Sequence, residues 1–228
     1  MEDKPGSAME ELARDPASRR RFLKGVGGAG AASFAVFLSA CGSKKTKPTP
    51  GGSNPNTAAG VGTDQFGKGD LGIATFALTL EYLEADFYAG AAASGVLGGR
   101  PATLIKTFGA HERQHVAALE AFVRQLGGTP PKKPAASFSF TSPTTILDTA
   151  ASLEYVGAGA YLAQADRIQS KALLAAALSI HSVEGRHHAA INVVLGRDIS
   201  PDGPFAKPQY AADVLQSIGQ FTTAGPGG

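Results

Sequence analysis

Two stretches of the chain repeat the same spacing of glutamate, tyrosine and histidine, which are residue types that can bind and support metal ions. In each stretch a Glu is followed by a Tyr seven positions on, and a Glu-x-x-His follows further along. The eight positions are Glu81, Tyr88, Glu112 and His115 in the first stretch, and Glu154, Tyr161, Glu184 and His187 in the second. Internal repetition on this scale indicates one supersecondary unit used twice. The repeated feature is a set of metal ligands.

The spacing predicts that the four carboxylates meet in space. Residues equidistant from the turn of an antiparallel helical hairpin lie at the same depth, and the predicted turns fall midway between Glu81 and Glu112 and midway between Glu154 and Glu184. A Glu-x-x-His places both side chains on one helix face, and both of these faces are otherwise apolar. Four carboxylates in a core are very costly unless they are protonated or neutralised. Two divalent or trivalent cations, bound by carboxylates and imidazoles, would remove that cost.

Four helices are needed to position these side chains. The apolar periodicity predicts them from Leu71 to about Ser94, from Pro101 to about Leu126, from Pro143 to about Arg167, and from just after Ser170 to about Leu195. Asp70 is the expected N-cap of the first helix. The proline-rich segment 127–142 can span about 50 Å when extended, which exceeds the roughly 36 Å length of a 24-residue helix. It can therefore return along the whole bundle.

Two antiparallel hairpins joined by one long crossover define an all-α, ferritin-like four-helix bundle. The motif LEYLEADFY, beginning at Leu80, and the two Glu-x-x-His sequences resemble the ferritin-like superfamily that includes bacterioferritin, rubrerythrin and the manganese catalases. Within it, the similarity is greatest to exported and desiccation-related ferritin-like proteins. The resemblance covers about residues 70–195 and implies two Fe ions, or Mn, as cofactor.

The same resemblance implies a role for each repeated residue. Glu81 and Glu154 would be terminal ligands, and Glu112 and Glu184 would bridge the two ions. His115 and His187 would be the nitrogen ligands. Tyr88 and Tyr161 would support the opposite carboxylates and are the catalytic candidates. These roles are expectations from the family.

Three further histidines and one further glutamate are also possible ligands. Glu84 competes with Glu81 because it lies one turn further along the helix, but Glu81 aligns with Glu154, whereas Gly157 occupies the position that matches Glu84. The sequence therefore favours Glu81. The remaining histidines are expected to be partly exposed or supporting; they are His111, His181 and His188.

The N-terminal segment resembles an export signal. Arg19 and Arg20 lie in a twin-arginine motif, and a weakly apolar stretch then ends in Leu-Ser-Ala-Cys, which is similar to a lipobox with Cys41 as the lipidated residue. The expected organisation is a signal peptide over residues 1–40 and a disordered tether over 41–69. The bundle is expected over 70–196, and a tail with one short helix over 197–228. Localisation in the cell envelope, anchored to the membrane by lipid at Cys41, follows as an expectation.

Composition excludes other classes of function. The net charge is +2 with no basic stripe, so there is no electrostatic case for binding nucleic acid. A single cysteine excludes an internal disulfide framework and a Cys-x-x-Cys redox centre. A peroxide reductase of this kind would therefore need an external electron donor, whereas a catalase would not.

Two functional hypotheses remain open. The first is a di-metal oxidoreductase of the peroxidase, catalase or ferroxidase type that reacts with dioxygen or peroxide under oxidative or desiccation stress. The second is a non-catalytic, metal-binding stress protein of the cell envelope whose metal stiffens the bundle. The sequence does not select iron over manganese, because both accept carboxylate and imidazole ligands.

Overall fold

The computed structural model of the protein describes residues 62–222, so the expectations for Arg19, Arg20 and Cys41 lie outside the described residues. A short 3-10 helix, Asp64–Phe66, is followed by five α-helices. The α-helices are α1 Gly69–Ala93, α2 Gly99–Gln125, α3 Pro143–Gln164, α4 Lys171–Leu195 and α5 Ala211–Gly219. Across residues 62–222 no strand forms, and an isolated bridge joins Ala136 to Thr222. The all-α prediction is confirmed.

Side-chain contacts show that α1 and α2 run antiparallel. Tyr82 donates a hydrogen bond to Glu120 at 2.7 Å, whereas Tyr88, further along α1, packs against the backbone of Gly109. The later residue of α1 thus contacts the earlier residue of α2, which is the pattern of an antiparallel pair.

The second hairpin, α3 and α4, has the same arrangement. The ring of His181 hydrogen-bonds to the carbonyl of Ala158, and the ring of His188 hydrogen-bonds to the carbonyl of Ala151. These two helices are thus antiparallel as well, as predicted from their short connection.

The contacts between the hairpins determine the topology. Tyr88 bonds to Glu154 and Tyr161 bonds to Glu81, so α1 and α3 are also antiparallel. Because α2 and α3 each run opposite to α1, they point in the same direction. The segment between them, residues 126–142, must return along the bundle. This confirms the predicted long crossover.

The crossover is held against α1 by aromatic and ionic contacts. The rings of Phe138 and Phe140 lie 5.3 and 5.9 Å from the ring of Phe87, measured between centroids. Lys133 reaches Asp86 at 2.8 Å. Packing of offset aromatic rings adds to the free energy gained from their burial, so the proline-rich segment has a defined path.

Most predicted helix ends are close to the observed ones. Ser142 caps α3 by accepting a hydrogen bond from the backbone N–H of Thr145, with Pro143 in the first turn. Gly196 ends α4 with φ of 68°, a left-handed conformation that favours glycine.

Asp70 was predicted wrongly as the cap of α1. The N-cap is Lys68, and Asp70 lies in the first helical turn. Its carboxylate instead accepts hydrogen bonds from the backbone N–H groups of Gln169 and Ser170, at 2.9 and 2.7 Å. Asp70 therefore ties the start of the first hairpin to the turn of the second.

Two parts of the apolar core lie towards opposite ends of the bundle. One part contains Ile73, Leu78, Leu119, Val123, Leu173 and Ile180, and the other contains Phe87, Ile105, Phe108, Ile146 and Ile191. Helix α5 covers α1 and α3 with Val214 and Ile218. No helix within residues 62–222 is long and apolar enough to cross a membrane.

The substitution Asp70→Ala should destabilise the fold by about 1–2 kcal/mol, because two backbone donors lose a charged, partly exposed acceptor. Urea unfolding followed by circular dichroism measures the change. Asp166→Ala, which removes an exposed carboxylate in the same turn, is the matched control. Equal stability of the two variants would contradict the proposed role of Asp70.

Candidate metal centre

Each helix of the bundle contributes one glutamate to a common interior position. Glu81 comes from α1, Glu112 from α2, Glu154 from α3 and Glu184 from α4, and all four residues are 0% exposed. The structure therefore brings together the four carboxylates that the spacing predicted. Burying so many acidic groups is very unfavourable without compensating positive charge.

The two histidines of the Glu-x-x-His motifs point their Nδ1 atoms into this cluster. Nδ1 of His115 lies 2.9 Å from Glu112 Oε2, 3.3 Å from Glu81 Oε2 and 3.3 Å from Glu184 Oε1. One N–H group can donate well to only one of these oxygens, and the 2.9 Å contact to Glu112 has hydrogen-bond geometry. Several acceptors converging on one ring nitrogen is the arrangement expected of ligands around a cation.

His187 repeats this geometry on the other side of the cluster. Its Nδ1 lies 3.2 Å from Glu112 Oε1 and 3.2 Å from Glu154 Oε2. The ring stacks on Phe108, with centroids 3.9 Å apart, which holds its orientation. Its other nitrogen, Nε2, lies 2.9 Å from Nδ1 of the partly exposed His111. His111 is therefore a supporting residue, as expected.

The six side chains form two overlapping groups whose potential ligand atoms lie within 4.8 Å of one another in each group. One group is Glu81, Glu112, His115 and Glu184, and the other is Glu112, Glu154, Glu184 and His187. Glu112 and Glu184 belong to both. A carboxylate has two oxygens, so it can contribute to two adjacent cation sites. The buried Glu/His cluster is thus able to bind metal.

Each tyrosine of the repeat supports the carboxylate of the opposite hairpin. The hydroxyl of Tyr161 donates to Glu81 Oε1 at 2.6 Å, and that of Tyr88 donates to Glu154 Oε1. Both tyrosines are buried. Their hydroxyls are engaged with carboxylates, so in this geometry they are positioning residues. Such outer partners orient metal ligands.

The protonation equilibria reflect the concentration of negative charge. Burial raises the pKa of Glu81, Glu154 and Glu184 well above the ordinary 4.5, and the neighbouring carboxylates raise it further. Glu112 behaves oppositely: burial opposes ionisation, but the hydrogen bond from His115 and the close approach of His187 outweigh burial and lower the pKa of Glu112 to about 2. Burial lowers the pKa of His115, but the hydrogen bond to Glu112 and the neighbouring carboxylates of Glu184 and Glu81 outweigh burial and raise the pKa to about 12.

The hydrogen bonds within residues 62–222 do not satisfy this cluster. Several buried carboxylate oxygens accept no hydrogen bond there, namely Glu81 Oε2, Glu84 Oε2, Glu112 Oε1 and both oxygens of Glu184. Unsatisfied buried acceptors are rare in folded proteins and require an explanation. Bound cations with oxygen and imidazole ligands would provide it, so the residues present fit a metal centre.

Glu84, which the repeat does not favour as a ligand, lies close to the cluster. It is 3% exposed and faces the same interior, with one oxygen lacking a hydrogen bond in the described structure. The matching position in the second repeat is a glycine, Gly157. In the fold, this glycine leaves room for the side chain of Glu84.

The substitution Tyr161→Phe should lower metal affinity by about 10–100-fold, the range typical of lost outer partners, because Glu81 loses its donor. Competition with a chromophoric chelator measures the affinity of the full chain. Tyr82→Phe provides the control, since Tyr82 bonds to the more peripheral Glu120. Identical affinities in the two variants would argue against a supporting role for Tyr161.

The metal-free chain should become less stable as pH rises from about 5 to 9. Groups with raised folded-state pKa values, which include Glu81, Glu84, Glu154, Glu184 and His115, give their full stabilisation below the unfolded-state pKa. They lose it as pH rises through the folded-state pKa. Glu112 has the opposite sign, but its contribution is lost only as pH falls from 4.5 towards 2.

Thermal melting in the presence of a chelator tests this pH dependence. Glu154→Gln removes one of the carboxyl groups whose pKa is raised, so the melting temperature of this variant should fall less steeply as pH rises. A melting temperature that climbs over the same pH window in the wild-type chain would contradict the electrostatic account.

Comparison with known proteins agrees with this architecture. A crystal structure of a conserved hypothetical protein, rv2844, from Mycobacterium tuberculosis is similar, with a TM-score of 0.50 and 18% sequence identity over 54% of this chain and 88% of that chain. At this identity the likeness shows the fold alone. No curated protein matches the chain. A family model described as a ferritin-like domain matches residues 69–197, which include all four bundle helices, and the chain therefore belongs to the ferritin-like domain family.

Proposed function

We propose that the bundle binds two iron or manganese ions and that the loaded centre reacts with dioxygen or peroxide. The observation that carries this proposal is the pair of overlapping ligand groups that share Glu112 and Glu184. Their buried oxygens without hydrogen bonds supply the physical reason for cation binding. When bound, the ions would supply the redox chemistry.

The protein side chains would divide the remaining tasks among them. Glu112 and Glu184, shared by the two groups, would each contribute to both ions. Glu81 and Glu154 would each serve one ion and are oriented by tyrosine hydroxyls from the opposite hairpin. These hydrogen bonds reduce the freedom of the carboxylates and therefore favour a defined ligand geometry.

The dimensions of the site favour small substrates. The four carboxylates have no exposed surface, and His115, the most exposed of the six residues, has a side chain only 12% exposed. Dioxygen and hydrogen peroxide are small enough for so closed an interior. A bulky organic substrate would not reach the cluster without a large movement of the helices.

The source of electrons separates two forms of the reaction. Disproportionation of two peroxide molecules to one dioxygen and two waters balances without an external donor. Reduction of one peroxide to two waters consumes two electrons and two protons. Because the chain has a single cysteine, we propose that an external donor protein would supply electrons for the second form.

A non-catalytic role is the second candidate, and the burial of the site favours it. Cation binding to the folded state stabilises that state, and the gain is large where a site would otherwise contain uncompensated carboxylates. In this case the metal would stiffen an envelope protein under drying or oxidative stress.

We also propose that the protein is exported and anchored to a membrane. The twin-arginine motif at Arg19 and Arg20, and the lipobox-like sequence ending at Cys41, support this location. The segment between Cys41 and the 3-10 helix Asp64–Phe66 would then tether the domain near the lipid surface.

The substitution Glu112→Gln should remove binding of both ions and all turnover, because this carboxylate belongs to both ligand groups. The full chain, purified in detergent and loaded with iron or manganese, is assayed by elemental analysis and by consumption of dioxygen and peroxide. Glu120→Gln, two turns further along α2, is the control. We expect two ions per wild-type chain and an unchanged control.

The outcomes separate the two candidates. Metal-dependent stabilisation without turnover would favour the structural role. Turnover retained in Glu112→Gln would refute the assignment of the site.

A further inference from the structure

The side chain of Glu84 lies beside the cluster without belonging to either group of potential ligands. It is one helical turn after Glu81 on α1 and is 3% exposed. Its Oε2 atom accepts no hydrogen bond from the part of the chain that the structure describes. An ionised carboxylate with an unpartnered oxygen at this depth is costly unless it is protonated or balanced by a positive charge.

The position opposite Glu84 is the one that lacks a side chain. The pairs Tyr88–Glu154 and Tyr161–Glu81 relate α1 to α3 by an approximate twofold symmetry, and this symmetry places Glu84 opposite Gly157. A Cβ atom built on Gly157 would lie 2.9 Å from Glu84 Oε1 and 3.0 Å from Glu184 Oε2. Two carboxylates, from α1 and α4, therefore converge on the space that glycine leaves open.

The other side of Glu84 offers no compensation. It borders a cavity of about 10 Å³ beneath α5, whose other lining residues are all apolar: Leu80, Leu83, Leu153, Val156, Gly157 and Ile218. Compensation must therefore come from the side of the cluster. Glu184, beside Glu84 at Gly157, belongs to both ligand groups, so a cation held by Glu184 would lie close to Glu84 and would balance its charge.

We propose that Glu84 is a seventh ligand of the metal centre and that Gly157 is required to admit it. The inference rests on the proposed function, because it needs a cation at the cluster. It makes the centre asymmetric, since the second repeat has no glutamate at the matching position. One cation site then has an additional carboxylate oxygen, which favours a hard cation with a high coordination number.

The substitution Glu84→Leu separates ligation from a structural role, because the two predict different changes. Without metal, an apolar side chain of similar size beside the apolar cavity should raise the melting temperature. With Zn²⁺ or Co²⁺, which need no redox step, affinity should fall by about 10–100-fold, at least the range given by lost outer partners. If Glu84 only packed in the core, its replacement by leucine would not both raise the metal-free melting temperature and lower the affinity for the metal ion.

The visible spectrum of bound Co²⁺ gives an independent measurement. Its d–d bands strengthen as coordination number falls, so loss of a ligand in Glu84→Leu should intensify them. Glu84→Gln, which keeps the size and polarity of the side chain, provides the same comparison if the leucine variant does not fold.

The role of Gly157 is tested by an alanine substitution, with a substitution of a second glycine as the matched control. Gly157→Ala should lower Zn²⁺ affinity because the new methyl group crowds Glu84 and Glu184. Gly185→Ala is the control, since it lies next to Glu184 in sequence but a Cβ there meets no atom within 4 Å.

These experiments use the full chain in detergent, and their outcomes are distinguishable. Failure of the wild-type chain to bind Zn²⁺ or Co²⁺ would refute the proposed function together with this inference. Wild-type binding with an unchanged affinity and Co²⁺ spectrum in both Glu84 variants would overturn the inference alone.

Discussion

The repulsion among buried carboxylates is the constraint on which the rest of this structure depends. Four helices each place a glutamate with no exposed surface at one level of the bundle, and a fifth carboxylate, that of Glu84, lies beside them. Two imidazoles and two phenol hydroxyls supply too few donors for the oxygens present, and several oxygens accept no hydrogen bond within residues 62–222. The bundle therefore has a strong electrostatic reason to take up cations.

The approximate twofold relationship between the repeats explains how this charge is organised. Each tyrosine reaches across to the carboxylate of the other hairpin, so the support of each half depends on correct docking of both. The apolar clusters towards the two ends of the bundle provide the packing that holds the hairpins together. Asp70 adds a polar tie between the start of α1 and the turn of the second hairpin.

The two halves of the bundle differ at the positions that do not follow the twofold symmetry. Glu84 in the first repeat faces Gly157 in the second, because both positions lie near the symmetry axis and there is room for only one side chain. His187 is backed by Phe108 and His111, while His115 has three carboxylate oxygens around one nitrogen. Two cation sites built from these residues would have unequal surroundings.

The sequence by itself determined the all-α class, the two hairpins and the set of six residues, because those features depend on local periodicity and on equal distances from a turn. Equal distances from the predicted turns place Glu81 level with Glu112, and Glu154 level with Glu184. The long crossover also followed from its proline content and length. Predictions for Arg19, Arg20 and Cys41 fall outside the described residues and stay predictions.

The tertiary structure decided what depends on contacts between residues distant in sequence. Aspartate is a residue type typical of helix caps, yet the hydrogen-bond partners of Asp70 lie about a hundred residues away in the sequence. No local sequence pattern predicts those partners. The repeat aligns Gly157 with Glu84 and therefore favours Glu81 as the ligand. The antiparallel packing of α1 against α3 shows that Glu84 occupies the space that Gly157 leaves open. This steric relationship depends on how the two helices pack across the symmetry axis, so it exists only in the folded protein.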